Sequence, residues 1–366
     1  MNEFADAAGV ELSILQQAYQ NKVPVNGSIE LSPLCNLDCD MCYVRLSPKE
    51  LEKKGHLRSV DEWLAVSKEL HDAGVLFLLL TGGEPLLYPD FKKLYFELKQ
   101  MGMILTINTN GTLLDEEWAD FFAQHKPRRI NITLYGANNA SYETLCHTPD
   151  GFDRTIRAIR LLKERSVDVK VGCSAVSKNI QEVSEIQQIC KDLDVPLQVD
   201  TYMYPSVRER EKDFSFSSRL APMDAAKLWH STMKEKMPDS EYQDYRLQLL
   251  AQIQDRKEKK TITEQGFFCM ATNCSFSINW QGLLRPCVMS TTPSFSVFEN
   301  GFMAAWKSLQ KEANTMHLCH ECRQCELRPV CRICVASALA ETGKTDQKSE
   351  YICQLAKYSY ELLMHD

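Results

Sequence analysis

The clearest pattern along the chain is an alternation of short apolar runs with longer stretches of helical periodicity. The longest run, Val75-Leu76-Phe77-Leu78-Leu79-Leu80, has the length of a buried strand, well short of the ~20 residues that a membrane span needs. Comparable runs at 27–32, 104–108, 129–134, 169–176 and 197–202 predict five more strands. Helices are predicted between them at Val60–Asp72, Phe91–Met101, Asp115–His125, Phe152–Arg165 and Ile180–Leu193. Ser59 stands as an N-cap for the first of these and Gly74 as its stop. Strand–helix repeats of this length imply parallel strands with right-handed crossovers. Apolar runs with little alternation fit strands covered by helices. The expected fold is α/β, a partial (β/α)6 TIM-like barrel whose chemistry sits on the loops after the strand C-termini.

The pattern divides the chain into four parts. Residues 1–25 form a helical extension, with a helix from Glu11 to Asn21, and 26–205 form the barrel. Residues 206–262 form a linker, with a mixed charge run at Arg208-Glu209-Arg210-Glu211-Lys212-Asp213 read as a solvated face and helices at Pro222–Met237 and Ser240–Lys260. Residues 263–366 form a cysteine-rich domain that opens on a hairpin, Ser275–Trp280 and Leu283–Val288 around Gln281-Gly282.

Charge and composition narrow the function. A net charge of −7 argues against nucleic acid as a partner, because phosphate neutralisation needs a basic surface. The first residues lack the basic start and apolar core of a signal peptide, so the expected location is the cytoplasm, with no membrane partner. Fifteen cysteines in a reducing compartment read as metal ligands or catalytic groups rather than disulfides. Three lie near the start and nine lie between Cys269 and Cys353.

The loop after the first strand reads Cys35-Asn36-Leu37-Asp38-Cys39-Asp40-Met41-Cys42-Tyr43. Three thiolates at C-x3-C-x2-C spacing can hold three irons of a 4Fe–4S cube and leave the fourth open for chemistry. A zinc knuckle is the other reading, but it asks for a fourth ligand close by, and His56 lies beyond a Lys-rich segment.

Cys35-x3-Cys39-x2-Cys42-Tyr43 resembles the signature of the radical S-adenosylmethionine (SAM) enzymes. The resemblance implies that SAM chelates the open iron, that one electron cleaves it to a 5′-deoxyadenosyl radical, and that Tyr43 lies near the adenine. Gly82-Gly83-Glu84-Pro85 after the second strand resembles the family's GGEP motif, whose backbone and acid would receive the methionine amino group. Asn108 and Asn110 after the third strand would meet the ribose, and Thr133 would lie near SAM. Thr133-Leu134-Tyr135-Gly136 stands where many relatives have Ser-Leu-Asp-Gly, so Tyr135 departs from the pattern. Ser174 and Gln198, on the fifth and sixth strands, either face the cavity or pack at its rim. Cys146 is read either as a buried thiol or as an exposed one that returns a hydrogen atom to a substrate radical. Cys190 is read as core, and Cys173 as core or cavity.

The C-terminal cysteines resemble the SPASM extension of radical SAM enzymes: Cys269, Cys274, Gly282-x4-Cys287, then Cys322-x2-Cys325-x5-Cys331-x2-Cys334 and Cys353. Relatives have x3 before the fourth cysteine of the run. By this resemblance Cys269, Cys274, Cys287 and Cys334 bind one auxiliary 4Fe–4S cluster. Cys322, Cys325, Cys331 and Cys353 bind a second, with Cys319 a ninth thiol able to replace one of them. Zinc remains the alternative, since C-x2-C pairs are common zinc ligands. Three clusters, SAM and a flavodoxin or ferredoxin electron donor are then expected. SPASM-bearing relatives most often modify ribosomally made peptides (RiPP maturation), so the expected function is a peptide maturase forming thioether or carbon–carbon links, epimerising or oxidising. Its leader peptide would be recognised by a separate protein or by the barrel rim. The alternatives are a dehydrogenase of small molecules and a metal-binding protein without turnover.

Overall fold

The computed structural model describes residues 9–205, 218–260, 262 and 266–366. The charge run at 208–213 and the boundaries expected at 205/206 and 262/263 lie wholly or partly outside the described residues. In chain order the elements are α1 Val10–Asn21, β1 Asn26–Glu30, α2 Pro48–Lys54, α3 Val60–Asp72, β2 Phe77–Thr81, α4 Phe91–Gln100, β3 Ile104–Thr109, α5 Glu116–Gln124, β4 Arg129–Thr133, α6 Asn139–Cys146, α7 Gly151–Glu164, β5 Val169–Ser174, α8 Val183–Asp192 and β6 Leu197–Asp200. They are followed by α9 Pro222–Lys236, α10 Asp239–Lys259, β7 Ser275–Ile278, β8 Leu283–Arg285, β9 Phe295–Ser296, α11 Val297–Asn300, α12 Phe302–Ala313, α13 His320–Gln324, α14 Val335–Thr342 and α15 Glu350–His365.

One sheet runs through the molecule in the order β6-β5-β4-β3-β2-β1-β7-β8-β9. Strands β1 to β6 are parallel, and the two ends of the sheet do not meet, so the barrel is open. The expected hairpin forms as β7 and β8, but β7 also pairs in parallel with β1. That pairing gives the unpaired donors and acceptors on the outer edge of β1 a partner, and it makes the C-terminal part a continuation of the barrel sheet. Phe276 of β7 packs beside Gly27, where a Cβ would come within 2.4 Å of its ring. The ring also meets Phe302 and Trp306 of α12 at centroid distances of 4.9 and 6.0 Å.

The strands differ from the expected uniform apolar runs. Burial alternates along β3, β4 and β5. One face carries Ile29, Leu78, Leu80, Leu105, Ile107, Ile130, Ile132, Val169, Val171 and Cys173, which form one core with the helices. The pairing register sets Ser28, Glu30, Thr81, Thr106, Asn108, Asn131, Thr133, Lys170, Ser174 and Gln198 on the other, concave face. An open barrel covers only its outer face with helices, so the inner face can stay polar. At the N-terminal end of the strands a cavity of about 180 Å³ lies beside Asn26, Phe77, Leu79, Thr106 and Asn131. Glu11 and Leu15 of α1 line it, and Glu11 pairs there with Arg128 at 2.9 Å. Among the described residues no helix is long and apolar enough to cross a membrane.

The expected capping of α3 is present in full: Ser59 Oγ accepts from Glu62 N while Glu62 accepts from Ser59 N. The short helices α2 and α6 were not anticipated by the sequence pattern.

Phe276→Ala should destabilise the fold by about 3–5 kcal/mol, because it empties the junction between β1, β7 and α12. Met303→Ala, on the exposed face of α12 at 40% exposure, should change stability by no more than about 0.5 kcal/mol. Urea unfolding of both variants checks this, and equal effects would deny the junction its role.

Candidate active site

All six barrel strands end on one side, and the loop of three cysteines leaves β1 there. This loop, residues 32–47, contains no helix or strand. Its polar backbone groups must therefore find partners elsewhere. Leu46 N donates to Pro33 O at 3.0 Å and closes the loop on itself. Leu37 N donates to Cys35 Sγ at 3.4 Å and Arg45 N to Cys42 Sγ at 3.3 Å. Asn110 Nδ2 also reaches Cys35 Sγ, at 3.6 Å. Cys35 has its pKa pushed up to about 12, first by burial and then by the nearby Glu84, Cys42 and Cys39. Cys39 and Cys42 thus both lie within electrostatic reach of Cys35, and N–H groups are aimed at Cys35 and Cys42.

The Gly-Gly turn after β2 is packed against this loop. Gly83 N donates to Ser32 O at 2.7 Å and Glu84 N to Leu34 O at 2.8 Å. A Cβ on Gly83 would come 2.3 Å from Leu34 O, and one on Gly82 would come 2.4 Å from Ser32 O. Gly82 also has φ +143, which L side chains rarely adopt. The glycines are needed for an approach to the neighbouring loop, where the sequence pattern suggested an approach to a ligand. Pro85 is buried and opens the following 3-10 turn.

Glu84 is fully buried. Its carboxylate accepts from Leu86 N, Asn110 N and Thr109 Oγ1 at 2.8–3.0 Å. Burial raises its pKa to about 7 against the lowering effect of these bonds. Asn110 donates to Asn36 Oδ1 at 3.0 Å and accepts from Thr112 N at 2.9 Å. Glu84 and Asn110 therefore tie the loops after β1, β2 and β3 together. Asn108 accepts from Asn131 Nδ2 at 2.8 Å on the concave face, while Asn131 Oδ1 is buried without a protein partner. Thr133 and Ser174 follow the same inward register, and Gln198 donates to Asp200 Oδ1 at 3.0 Å. Tyr43 meets Tyr204, just after β6, at a centroid distance of 5.5 Å.

Helix α6 holds the loop from the other side. Asp38 N donates to Cys146 O at 3.2 Å and Asp40 N to Leu145 O at 2.9 Å, which satisfies carbonyls at the helix end. Asp40 pairs with His147 at 3.0 Å and with Lys178. Cys146 is 0% exposed, so of its two readings the structure matches the buried thiol and not the exposed one. The neighbouring Cys146 and burial hold the Cys39 thiol well above its ordinary pKa, and Tyr135 pulls the other way. Cys190 and Cys173 are both buried in the core. Sequence reasoning missed Glu30, Asn131 and Lys170 as cavity-facing residues; polar residues recurring every second position in strands were the available signal.

Farther along the chain, all of the remaining cysteines are free thiols. Burial raises the pKa of Cys322, and the nearby Cys319, Cys353 and Cys331 raise it further. Cys331 and Cys353 each feel Cys325. These five thiols form one group. Cys269, Cys287 and Cys334 border an apolar cluster with Val335 and Ile333 that also contains Cys322 and touches Cys319 and Cys331. Cys334 Sγ accepts from Ser337 N at 3.4 Å as the cap of α14. Cys274 is packed elsewhere, fully buried with Leu15, Ala18, Val25 and Phe77. Among the described residues no three His, Cys, Asp or Glu side chains are gathered closely enough for a single metal ion. Cluster corners are farther apart than the ligands of one zinc ion. The N–H groups aimed at Cys35 and Cys42 suit anionic sulfur, so the residues of the first loop fit a cluster.

Residues 29–189 match the Radical SAM superfamily model. The chain carries a radical SAM domain over that stretch, which holds the cysteine loop, the Gly-Gly turn and strands β2 to β5. It is 24% identical over 338 residues to an AdoMet-dependent heme synthase of Methanosarcina barkeri, covering 88% of this chain and 94% of the other. It is 28% identical over 172 residues to the antilisterial bacteriocin subtilosin biosynthesis protein AlbA of Bacillus subtilis, covering 47% of this chain and 38% of AlbA. The chain thus spans less than half of AlbA's length. The fold is similar to that of SuiB of Streptococcus suis solved with S-adenosylmethionine, with TM-score 0.66 at 17% identity, covering 94% of this chain and 80% of SuiB. A second SuiB structure, bound to its precursor peptide SuiA, superposes with TM-score 0.64.

In the chain without cluster or SAM, stability should fall between pH 5 and pH 8 through Glu84. Its folded pKa of about 7 lies above the unfolded value of 4.5, so its favourable contribution is complete below pH 4.5 and lost as pH rises through 7. Over this window the loss is about 2 kcal/mol. Glu84→Gln should remove that part of the pH dependence, whatever its absolute stability. Denaturant midpoints at pH 5, 6, 7 and 8 read the slope, and parallel curves for the two proteins would reject the assignment.

Proposed function

We propose that the chain is a radical SAM enzyme that modifies a peptide, with Cys35, Cys39 and Cys42 holding the SAM-binding 4Fe–4S cluster. The observation that carries this reading is the braced loop of three thiols at the open mouth of the sheet. Bound there, the cluster and SAM supply reductive cleavage of SAM. The chain's own residues hold the thiolates in place, keep water from them and present a polar concave wall to the substrate. Asn108, Thr133, Ser174 and Gln198 on that wall are the residues proposed to meet SAM, with Tyr43 beside the adenine. The backbone at Gly82-Gly83 would take the methionine end.

Cys322, Cys325, Cys331 and Cys353 are proposed to hold one auxiliary cluster, with Cys319 a fifth candidate beside them. Cys269, Cys287 and Cys334 are proposed for another. Cys274, the fourth by spacing, packs apart from them. Together these thiols form the proposed SPASM part, and their role is to accept or relay an electron from the oxidised substrate. The electron donor is proposed to be a flavodoxin or ferredoxin and the location the cytoplasm. AlbA, a bacteriocin biosynthesis protein, and SuiB, solved with its precursor peptide, support a peptide substrate.

The heme synthase supports a second reading, oxidation of a small molecule, because that similarity runs along 88% of the chain. Mass spectrometry after anaerobic turnover with SAM and a strong reductant separates the two. A peptide losing two hydrogens, or taking up deuterium at unchanged mass, favours the first. Turnover of a porphyrin with no peptide changed favours the second. No 5′-deoxyadenosine from a fully loaded chain would reject both.

Cys39→Ala should abolish 5′-deoxyadenosine formation while the auxiliary iron stays bound. Iron counting and product assay on the same sample check it, and persistent cleavage would refute the three-thiol site. Cys331→Ala should lower substrate modification more than SAM cleavage, read as the ratio of modified product to 5′-deoxyadenosine. An equal fall in both would give Cys331 a folding role instead.

A further inference from the structure

The sheet has two outer edges, and they differ. At one, β9 is two residues long and passes straight into α11. At the other lies β6, Leu197–Asp200, whose strand partner is β5. The parallel register fixes which backbone groups of β6 that partner uses. Val171 N donates to Pro196 O at 2.8 Å and Ala175 N to Asp200 O at 2.9 Å. Val171 stands opposite Leu197 and Cys173 opposite Val199. The ladder therefore takes up the N–H and C=O of Gln198 and Asp200, and those of Leu197 and Val199 point away from β5. Among the described residues no strand pairs with that outer side, and no loop hydrogen bond reaches these four groups. β6 is also the one parallel barrel strand without a buried residue. Its upper end leads to the site, because Tyr204, just past it, meets Tyr43 at 5.5 Å.

We propose that the substrate peptide docks as an added strand on the outer edge of β6, held by the N–H and C=O groups of Leu197 and Val199. This deepens the reading that the substrate is a peptide, and rests on it. A strand edge presents a donor and an acceptor at every second residue. An extended main chain offers the matching groups at the same repeat, and a porphyrin or other small molecule does not. The open barrel leaves room for the addition, since the two ends of the sheet do not meet. Pairing through main chain makes the docking tolerant of peptide sequence. It also sends every second peptide side chain to the Gln198 side of the sheet, over the concave wall. Selection among residues then falls to that wall, and the edge supplies the hold and the alignment.

The test uses the reconstituted full chain and a blocked, Lys-ended peptide of alternating Thr and Val at millimolar concentration. A control peptide is N-methylated at every residue, which removes its N–H groups and bars strand pairing. Hydrogen exchange at the Leu197 and Val199 amides should slow by about tenfold or more with the first peptide and stay unchanged with the second. No slowing with the first, or equal slowing with both, overturns the proposal. Val199→Pro deletes an outward N–H that the β5 ladder does not use, a place where an edge strand accepts proline. It should weaken binding of the first peptide by about tenfold, while Val199→Ala stays within about twofold. Wild-type affinity in V199P overturns the proposal; should V199P fail to fold, the two peptides decide. Slowing that appears without peptide and grows with protein concentration assigns the edge to a second copy and overturns it too. Turnover of a porphyrin with no peptide changed would overturn the peptide reading and the docking with it. A peptide modified by a chain whose β6 amides exchange freely overturns the docking alone, which separates the two failures.

Discussion

The rest of the site depends on how an irregular loop is kept rigid. Residues 32–47 have no ladder of their own, and a flexible loop would lose the geometry that three metal ligands require. The chain solves this by bracing from two sides. The turn after β2 donates Gly83 N and Glu84 N into Ser32 O and Leu34 O, at a closeness that only glycine permits. The end of α6 offers its last carbonyls to Asp38 N and Asp40 N. Helix ends leave carbonyls without intrahelical partners, and here those carbonyls meet donors that the loop would otherwise leave unmet.

Electrostatics then decides what the braced loop can hold. Cys35 is half-buried near Glu84, Cys39 and Cys42, and each of these raises its pKa. Glu84 is itself raised to about 7 by burial. Arg45 is spoken for by Asp38 at 3.0 Å, and Lys178 and His147 by Asp40. Nearby cations are thus committed to the loop's aspartates, and the raised pKa values of Cys35 and Cys39 favour their thiol forms. Loading iron must displace those protons, and the positive charge of the metal is what makes three adjacent thiolates tolerable. Thiol deprotonation and metal binding are one coupled event at this loop.

Much of the barrel was legible because each strand–helix unit announces itself locally. Ser59 and Glu62 mark the start of α3, and the runs at 104–108 and 129–134 fall on β3 and β4. Helix α6 was not legible: it has eight residues, and its apolar positions Tyr142, Leu145 and Cys146 make too short a stripe to show a period. The pairing of β7 with β1 was hidden for another reason. Strand partners some 250 residues apart leave no trace in local alternation, and the hairpin signal at Gln281-Gly282 spoke only for β7 and β8. At the glycines the local reading was right and its partner wrong. Composition tells that backbone comes close, and only the fold tells to what. Cysteine spacing has the same weakness, since Cys274 fits the ligand pattern and yet its side chain packs among Leu15, Ala18, Val25 and Phe77.

The parallel pairing of β1 and β7 also constrains what the C-terminal thiols can do. Cys35 lies beyond the C-terminal end of β1, whereas Cys269 precedes the N-terminal end of β7. Strand β8 runs antiparallel to β7, so Cys287, two residues past its end, returns to the side of Cys269. These two thiols and the cysteine loop therefore sit at opposite ends of the same strands. Five residues of strand separate the ends by about 17 Å. A substrate held against the loop cannot at the same time bond to iron at Cys269 and Cys287 through the sheet. Were a cluster built on those thiols, the sheet would stand between it and a substrate at the cysteine loop. The same sheet that joins the two parts of the chain also keeps their chemistries apart.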